Sequence, residues 1–306
     1  MSASLPLNLL SLLLLPLLLS GWIQRVKALW SGRRGPPLLQ PAYDVARLLR
    51  KSPVYSRTTT PLFRIGPWCL LATTLGSAAL VPLCGSRSLA SFPFDFVWFA
   101  YAWGLGRVAL MLAALDTGSS FQGMGSAREA TFSTLLEPVL FLVAAALCLK
   151  SGAHTFDGAL RSELLGGAWL LRACAVLALA VMLQVESARM PVDDPSTHLE
   201  LTMVHEVMVL DHSGPDLAAV QLASAIKLFV GSSLMATLLN PWAASGGPWA
   251  AGAQLLLSFA VATAVGTVES LVARLKLRLV PSYIALALAS GSVALLLGAW
   301  GAAAVP

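Results

Sequence analysis

The sequence predicts an all-helical integral membrane protein of about eight transmembrane helices, on three observations. Hydrophobic residues fill 57% of its 306 positions and charged residues only 11%, about half the charge of an ordinary soluble domain. The apolar residues come in blocks of roughly twenty, the length that crosses a hydrocarbon core. Lys and Arg divide unevenly between alternate connections, with fourteen on one set, three on the other and three inside the blocks. Basic residues accumulate on the cytoplasmic side of a membrane. The bias therefore places both termini outside and the long connection at 186–217 in the cytoplasm, within a single membrane domain covering 1–306.

In chain order the spans are expected at 5–23, 62–83, 94–115, 131–149, 165–185, 217–239, 251–272 and 282–302. The first has no basic residue ahead of its Leu-rich core, and its charge follows at Arg25, Lys27, Arg33 and Arg34. A secretory signal has the opposite polarity, so this block reads as a retained span. After it, GPPLLQP turns the chain into AYDVARLLRK, where Val45, Leu48 and Leu49 recur at helical spacing before Pro53. That pattern predicts a short amphipathic helix on the inner surface, which serves either as a docking face for a cytoplasmic partner or as a basic loop held by anionic lipid. The stretch TGSSFQGMGSARE before the fourth span reads as a Gly-rich loop, and 150–163 reads as a short polar loop. Cys69, Cys84, Cys148 and Cys174 form no Cys-x-x-Cys pair and read as small buried hydrophobes.

Ionisable groups inside spans are costly, so each needs a partner or a role. Asp116 falls at the inner end of the third span, Glu129 and Glu137 in the inner part of the fourth, Glu186 at the inner end of the fifth and Glu269 near that of the seventh. Arg107, Arg172 and Lys227 lie deeper and are the available counter-ions. Lys227 has no charged residue within a helical turn, so its partner must come from another helix. Glu137, Glu186, Glu269, Asp116 and Lys227 are the candidates for a proton path. Glu137 sits about two turns inside its span, where low dielectric would raise its pKa towards neutrality.

Residues 186–217 hold seven of the fifteen acids and three of the four histidines. A loop between spans does not need that mixture to stay solvated, so Arg189, Asp193, Asp194, His198, Glu200, His205, Glu206 and Asp211 are its candidate functional residues. Asp194–Pro195 reads as a helix start and Gly214–Pro215 as its stop, with Leu199, Met203, Val207 and Leu210 as the apolar stripe between. His198, His205 and His212 recur every seven residues, which sets neighbours about 10 Å apart on a helix, too far for one ion. No metal site is expected.

At these residues the sequence resembles a known family. ESARMPVDDPSTHLELTMVHEVMVLDHSGPDLA is similar to the cytoplasmic loop of the membrane subunit shared by respiratory complex I (its subunit 1 or H) and the membrane-bound group 4 nickel-iron hydrogenases, in the formate hydrogenlyase subunit 4 and hydrogenase-4 component C branch. DTGSSFQGMGSARE with the following EPVLF, QPAYDVARLLRK and VARLKLRLVPS carry the same likeness. The resemblance implies an eight-span subunit of a bacterial or archaeal cytoplasmic membrane that docks a soluble redox arm and passes redox-linked protonation to an ion path. Glu186, Arg189, Pro191 and Asp193 stand where complex I has an E-x-x-R-x-P-x-D run, and Glu200 matches a loop glutamate there. Val192 replaces the usual Phe, and Ser196, Thr197 and His198 replace an acid-rich stretch, departures that point to the hydrogenase branch instead of a quinone site. The implied partners are hydrogenase-type large and small subunits and an iron-sulfur subunit on the cytoplasmic side, and antiporter-like subunits within the lipid bilayer. Nucleic acid is not among them.

The sequence has no iron-sulfur cysteine spacing, no nucleotide fingerprint and no nucleophile beside a base. Nickel-iron and iron-sulfur centres are therefore expected in partner subunits and no cofactor on this chain, with a quinone only in the alternative of a complex I-like quinone oxidoreductase. A stand-alone secondary transporter would show broken spans at matching points of two halves and a midplane site. Pro138 has no such counterpart, and the densest polar stretch is a loop.

Overall fold

The computed structural model describes residues 4–165, 167–193 and 203–303. Its helices are α1 (Ser4–Trp30), α2 (Gln40–Leu49), α3 (Pro61–Ala78), α4 (Asp95–Asp116), α5 (Ser120–Ser151), α6 (Phe156–Leu160), α7 (Trp169–Glu186), α8 (His205–Val209), α9 (Gly214–Leu239), α10 (Gly247–Leu271) and α11 (Val280–Ala303). Among the described residues seven helices, α1, α4, α5, α7, α9, α10 and α11, are long and apolar enough to cross a membrane, and the protein is a multi-pass membrane protein.

The second expected span corresponds to α3, which ends at Ala78 and not at Leu83. Pro82 disfavours helix in the residue before it, and the chain leaves α3 in tight turns at Ala79, Leu80 and Val81. Its eighteen residues reach about 27 Å, slightly less than a hydrocarbon core. It carries Arg64 and the hydroxyls of Thr73, Thr74 and Ser77, and it packs along α4 and α9.

The stretch expected as a Gly-rich loop is helical, because α5 begins at Ser120 and runs for thirty-two residues. Such a helix is about 48 Å long, so its first turns project beyond the hydrocarbon core. Gly125 is required there: a Cβ would lie 2.3 Å from Val207 Cγ1 of α8. Gly214–Pro215 begins α9 instead of ending a helix, since a proline at the first helical position lacks only an N–H that would be unpaired anyway. The loop helix accordingly shortens, among the described residues, to His205–Val209. Val207 and Met203 of the expected stripe are buried, whereas Leu210 is exposed.

The core is organised on α9, 83% of whose central window is buried by α1, α2, α3, α7 and α10. Small residues permit the close approach, as where Gly231 faces Leu183. At the end of the bundle away from the loop, exposed Trp98, Trp169, Trp242, Trp249 and Trp300 form a belt, the usual place for indoles at a membrane interface. α2 is the amphipathic helix expected after α1, with Val45 turned inward.

Candidate functional site

Most of the buried charges fall into two groups on the loop side of the bundle, while Asp95 is buried at the opposite end, where it accepts the Phe156 N–H at 2.6 Å. The first is a string of ion pairs contributed by four helices. Glu186 closes α7 with its side chain only 6% exposed, and accepts from Arg107 Nη1 of α4 at 3.0 Å and from Lys227 Nζ of α9 at 3.1 Å. Arg107 also donates through Nη2 to Glu137 Oε1 of α5 at 3.1 Å. Lys227 lies 5.4 Å from the centre of the Trp103 ring, whose indole N–H donates to Ser77. A carboxylate at a helix C-terminus opposes the backbone dipole, so the two cations hold Glu186 in place. This is the partner on another helix that the isolation of Lys227 required.

The second group binds the loop to the bundle. Glu269 of α10, fully buried, meets Lys27 of α1 at 2.9 Å and Arg189 at 3.1 Å. Asp193 accepts at Oδ1 from Arg274 at 2.9 Å and at Oδ2 from the backbone N–H groups of Val204 and His205, at 3.0 and 2.9 Å. One carboxylate thus anchors the start of α8 and the connection after α10. Arg128 Nη1 adds a bond to the carbonyl of Met203 at 2.8 Å.

Between α1, α2, α8, α9 and the connection after α7 lies a cavity of about 550 Å³ lined by Gln24, Lys27, Asp44, Arg47, Arg189, His205, Glu206 and Gln221 among others. His205 borders both regions: its Nε2 is buried without a hydrogen-bond partner, and burial pushes its pKa down against the opposing pull of Glu206.

Several expected site residues sit elsewhere. Asp116 accepts from the backbone N–H and hydroxyl of Thr60 at 2.6 and 2.8 Å, tying α4 to the start of α3 instead of joining the ion-pair string. Glu269 belongs to the loop anchor. Glu137 is joined to the string, but its side chain is 48% exposed on the outer face of α5, because Leu136, Val139, Leu140 and Val143 occupy the inner face. The phase of those four residues is a signal for this in the sequence itself. His205 and His212 do not share a helix: the first faces the cavity and the second stacks on Phe63 at 4.1 Å. Asp211 lies at the rim of a separate crevice. Asp194, His198 and Glu200, with the expected helix start at Pro195, lie outside the described residues. Arg274 and Lys27 also belong to the site; their partners are 81 and 242 positions away, and no local pattern in the sequence links them.

The described residues form an all-helical membrane protein, as composition and the apolar blocks predict, with ion pairs strung between its helices beneath an anchored polar loop. Residues 4–299 match the family model described as NADH dehydrogenase, and the chain belongs to that family. It is 30% identical over 234 residues to "Hydrogenase-4 component C" of Escherichia coli (strain K12), covering 76% of this chain and 73% of that protein. It is 27% identical over 274 residues to "Formate hydrogenlyase subunit 4" of the same organism, covering 86% and 88%. A chain in the structure of the membrane-bound sulfane sulfur reductase, an archaeal respiratory membrane complex, shares the fold with a TM-score of 0.76 and 17% identity over 98% of both chains.

Proposed function

We propose that this chain is the membrane-anchoring and energy-coupling subunit of a hydrogenase-type respiratory complex in a cytoplasmic membrane, with both termini outside. The observation that carries the reading is the string Glu137–Arg107–Glu186–Lys227, which begins beneath the loop that Asp193 anchors and reaches the outer face of α5. Nickel-iron and iron-sulfur chemistry belongs to large, small and iron-sulfur partner subunits docked on the loop side. When that arm changes charge state, the buried carboxylates and their cations are the groups able to respond by shifting a proton. The half-exposed Glu137 carboxylate on a spanning helix calls for a polar neighbour in place of lipid, and an antiporter-like membrane subunit supplies one.

A quinone fits poorly. The cavity sets Lys27, Arg47, Arg189, Asp44 and Glu206 among Leu17, Val45, Leu48, Val209, Leu217 and Val220, whereas a wholly apolar channel would suit an isoprenoid tail better, so no step is routed through it. Photo-cross-linkers placed at Glu206 and Leu210 in the intact complex are expected to capture the hydrogenase-type large or small subunit, and the purified complex is expected to evolve hydrogen from a reduced viologen without reducing added quinone. Capture of periplasmic proteins alone would overturn the orientation and the role together.

A further inference from the structure

A further crevice, about 470 Å³, is formed where three connections meet on the loop side: residues 54–59 after α2, the α4–α5 turn at Thr117, and residues 210–213 before α9. Its walls are fixed. Val54 donates its N–H to Ser213 Oγ at 2.9 Å, and Thr60 is held by Asp116 at 2.6 and 2.8 Å. Tyr55, Thr58, Thr59 and Thr117 line it with hydroxyls.

His212 also lines the crevice. It is 3% exposed, its ring stacks on Phe63 at 4.1 Å, and both ring nitrogens are buried without a hydrogen-bond partner. Burial pushes its pKa down to about 4, so at neutral pH the ring presents one N–H donor and one bare acceptor nitrogen. An imidazole left so is costly unless something at the site supplies the bonds. The only charged residue on the wall is Asp211, which makes no hydrogen bond or ion pair among the described residues. Just behind it Asp216 takes the Trp68 indole N–H on Oδ1 at 3.0 Å and faces the Tyr55 hydroxyl. Arg64, the neighbouring cation, is seated over the Tyr55 ring at 4.3 Å. Asp211 thus places an acid on the wall of a crevice on the side of the bundle where chain order puts Arg25, Lys27, Arg33, Arg34, Arg47, Arg50, Lys51 and Arg57, alongside the acids Asp44 and Glu206.

We propose that this crevice receives a lysine- or arginine-bearing turn of the cytoplasmic redox arm, with the cation on Asp211 and the turn's backbone satisfying the His212 ring. The inference rests on the docking reading above and adds a second contact to it, on residues that do not line the 550 Å³ cavity. A cation is favoured over an anion because every unpaired group here except one imidazole N–H is an acceptor. The volume exceeds what a single side chain fills, which is why the occupant is a turn of chain.

The test uses membranes carrying the whole complex. Thr58→Cys is labelled with an impermeant maleimide before and after the arm is stripped with chaotrope, and Arg47→Cys on α2 reports docking in general. Labelling at Thr58→Cys is expected to be at least tenfold slower with the arm attached and to recover on stripping. Asp211→Lys should lower the salt concentration at which the arm elutes, with the isosteric Asp211→Asn intermediate. Equal labelling of Thr58→Cys with and without the arm, while Arg47→Cys is protected, overturns this inference and leaves the docking reading standing; if neither is protected, both fail. Protection that persists after stripping means that lipid or a small solute fills the crevice, and it overturns the proposal. Protection with unchanged salt elution in both Asp211 variants rules out a cationic occupant.

Discussion

Glu186 holds two buried cations, so its removal is expected to cost more than its own bonds. Arg107 and Lys227 are each 6% exposed at the side chain, and a buried charge stripped of its partner typically costs about 3–5 kcal/mol. Glu186→Gln should therefore lower the thermal midpoint of the detergent-purified protein sharply. Lys227→Met added to it should recover a large part of the loss, because Arg107 retains Glu137 and no unpaired ammonium remains. Equal destabilisation in the single and double variants would show that the ion pairs are not coupled. The sequence shows that Lys227 needs a partner on another helix, but not which acid supplies it. That choice depends on how α7 and α9 pack, a relation between residues 41 positions apart. Conversely, treating Glu137 as buried overlooks the helical phase set by Leu136, Val139, Leu140 and Val143, which was available in the sequence all along.

Among the elements, α5 and α8 are matched at Gly125. Gly125→Val would place a Cβ 2.3 Å from Val207 Cγ1 and 3.0 Å from the Val204 carbonyl, an overpacking expected to cost about 1–3 kcal/mol. Val207→Ala removes the first of these contacts and should recover part of the thermal midpoint in the double variant. Failure of any recovery would mean that α8 does not bear on α5 there. Most long helices are legible from blocks of apolar residues, within a few positions at each end. The misread elements include 150–163, expected as a polar loop yet carrying α6 with Phe156, Ala159 and Leu160 buried, and those where Gly or Pro has two meanings. Glycines in TGSSFQGMGSARE suggest a loop, yet in α5 one of them clears space for α8. Gly214–Pro215 suggests a helix stop, yet Pro215 serves the first turn of α9. Tertiary contact decides between the two readings, and local sequence does not contain it.

At the scale of the whole molecule, the loop side gathers the strings of buried ion pairs and the opposite end carries the tryptophan belt. The family is legible in the loop motif alone and agrees with the match over residues 4–299. The distances on which the proposed coupling role rests, between Asp193 and Arg274 and between Glu186 and its two cations, emerge only in three dimensions. The proposed role requires that Glu137, half exposed at the end of the string, exchange a proton with a neighbouring membrane subunit. Glu137→Gln keeps shape and hydrogen bonding while removing titration. The most direct measurement compares wild type and Glu137→Gln complexes in inverted membrane vesicles, recording dye-linked hydrogenase turnover and uncoupler-sensitive proton movement on the same sample. The account predicts full assembly, unchanged dye-linked turnover and at least a tenfold loss of proton movement; a variant that moves protons at the wild-type rate contradicts it.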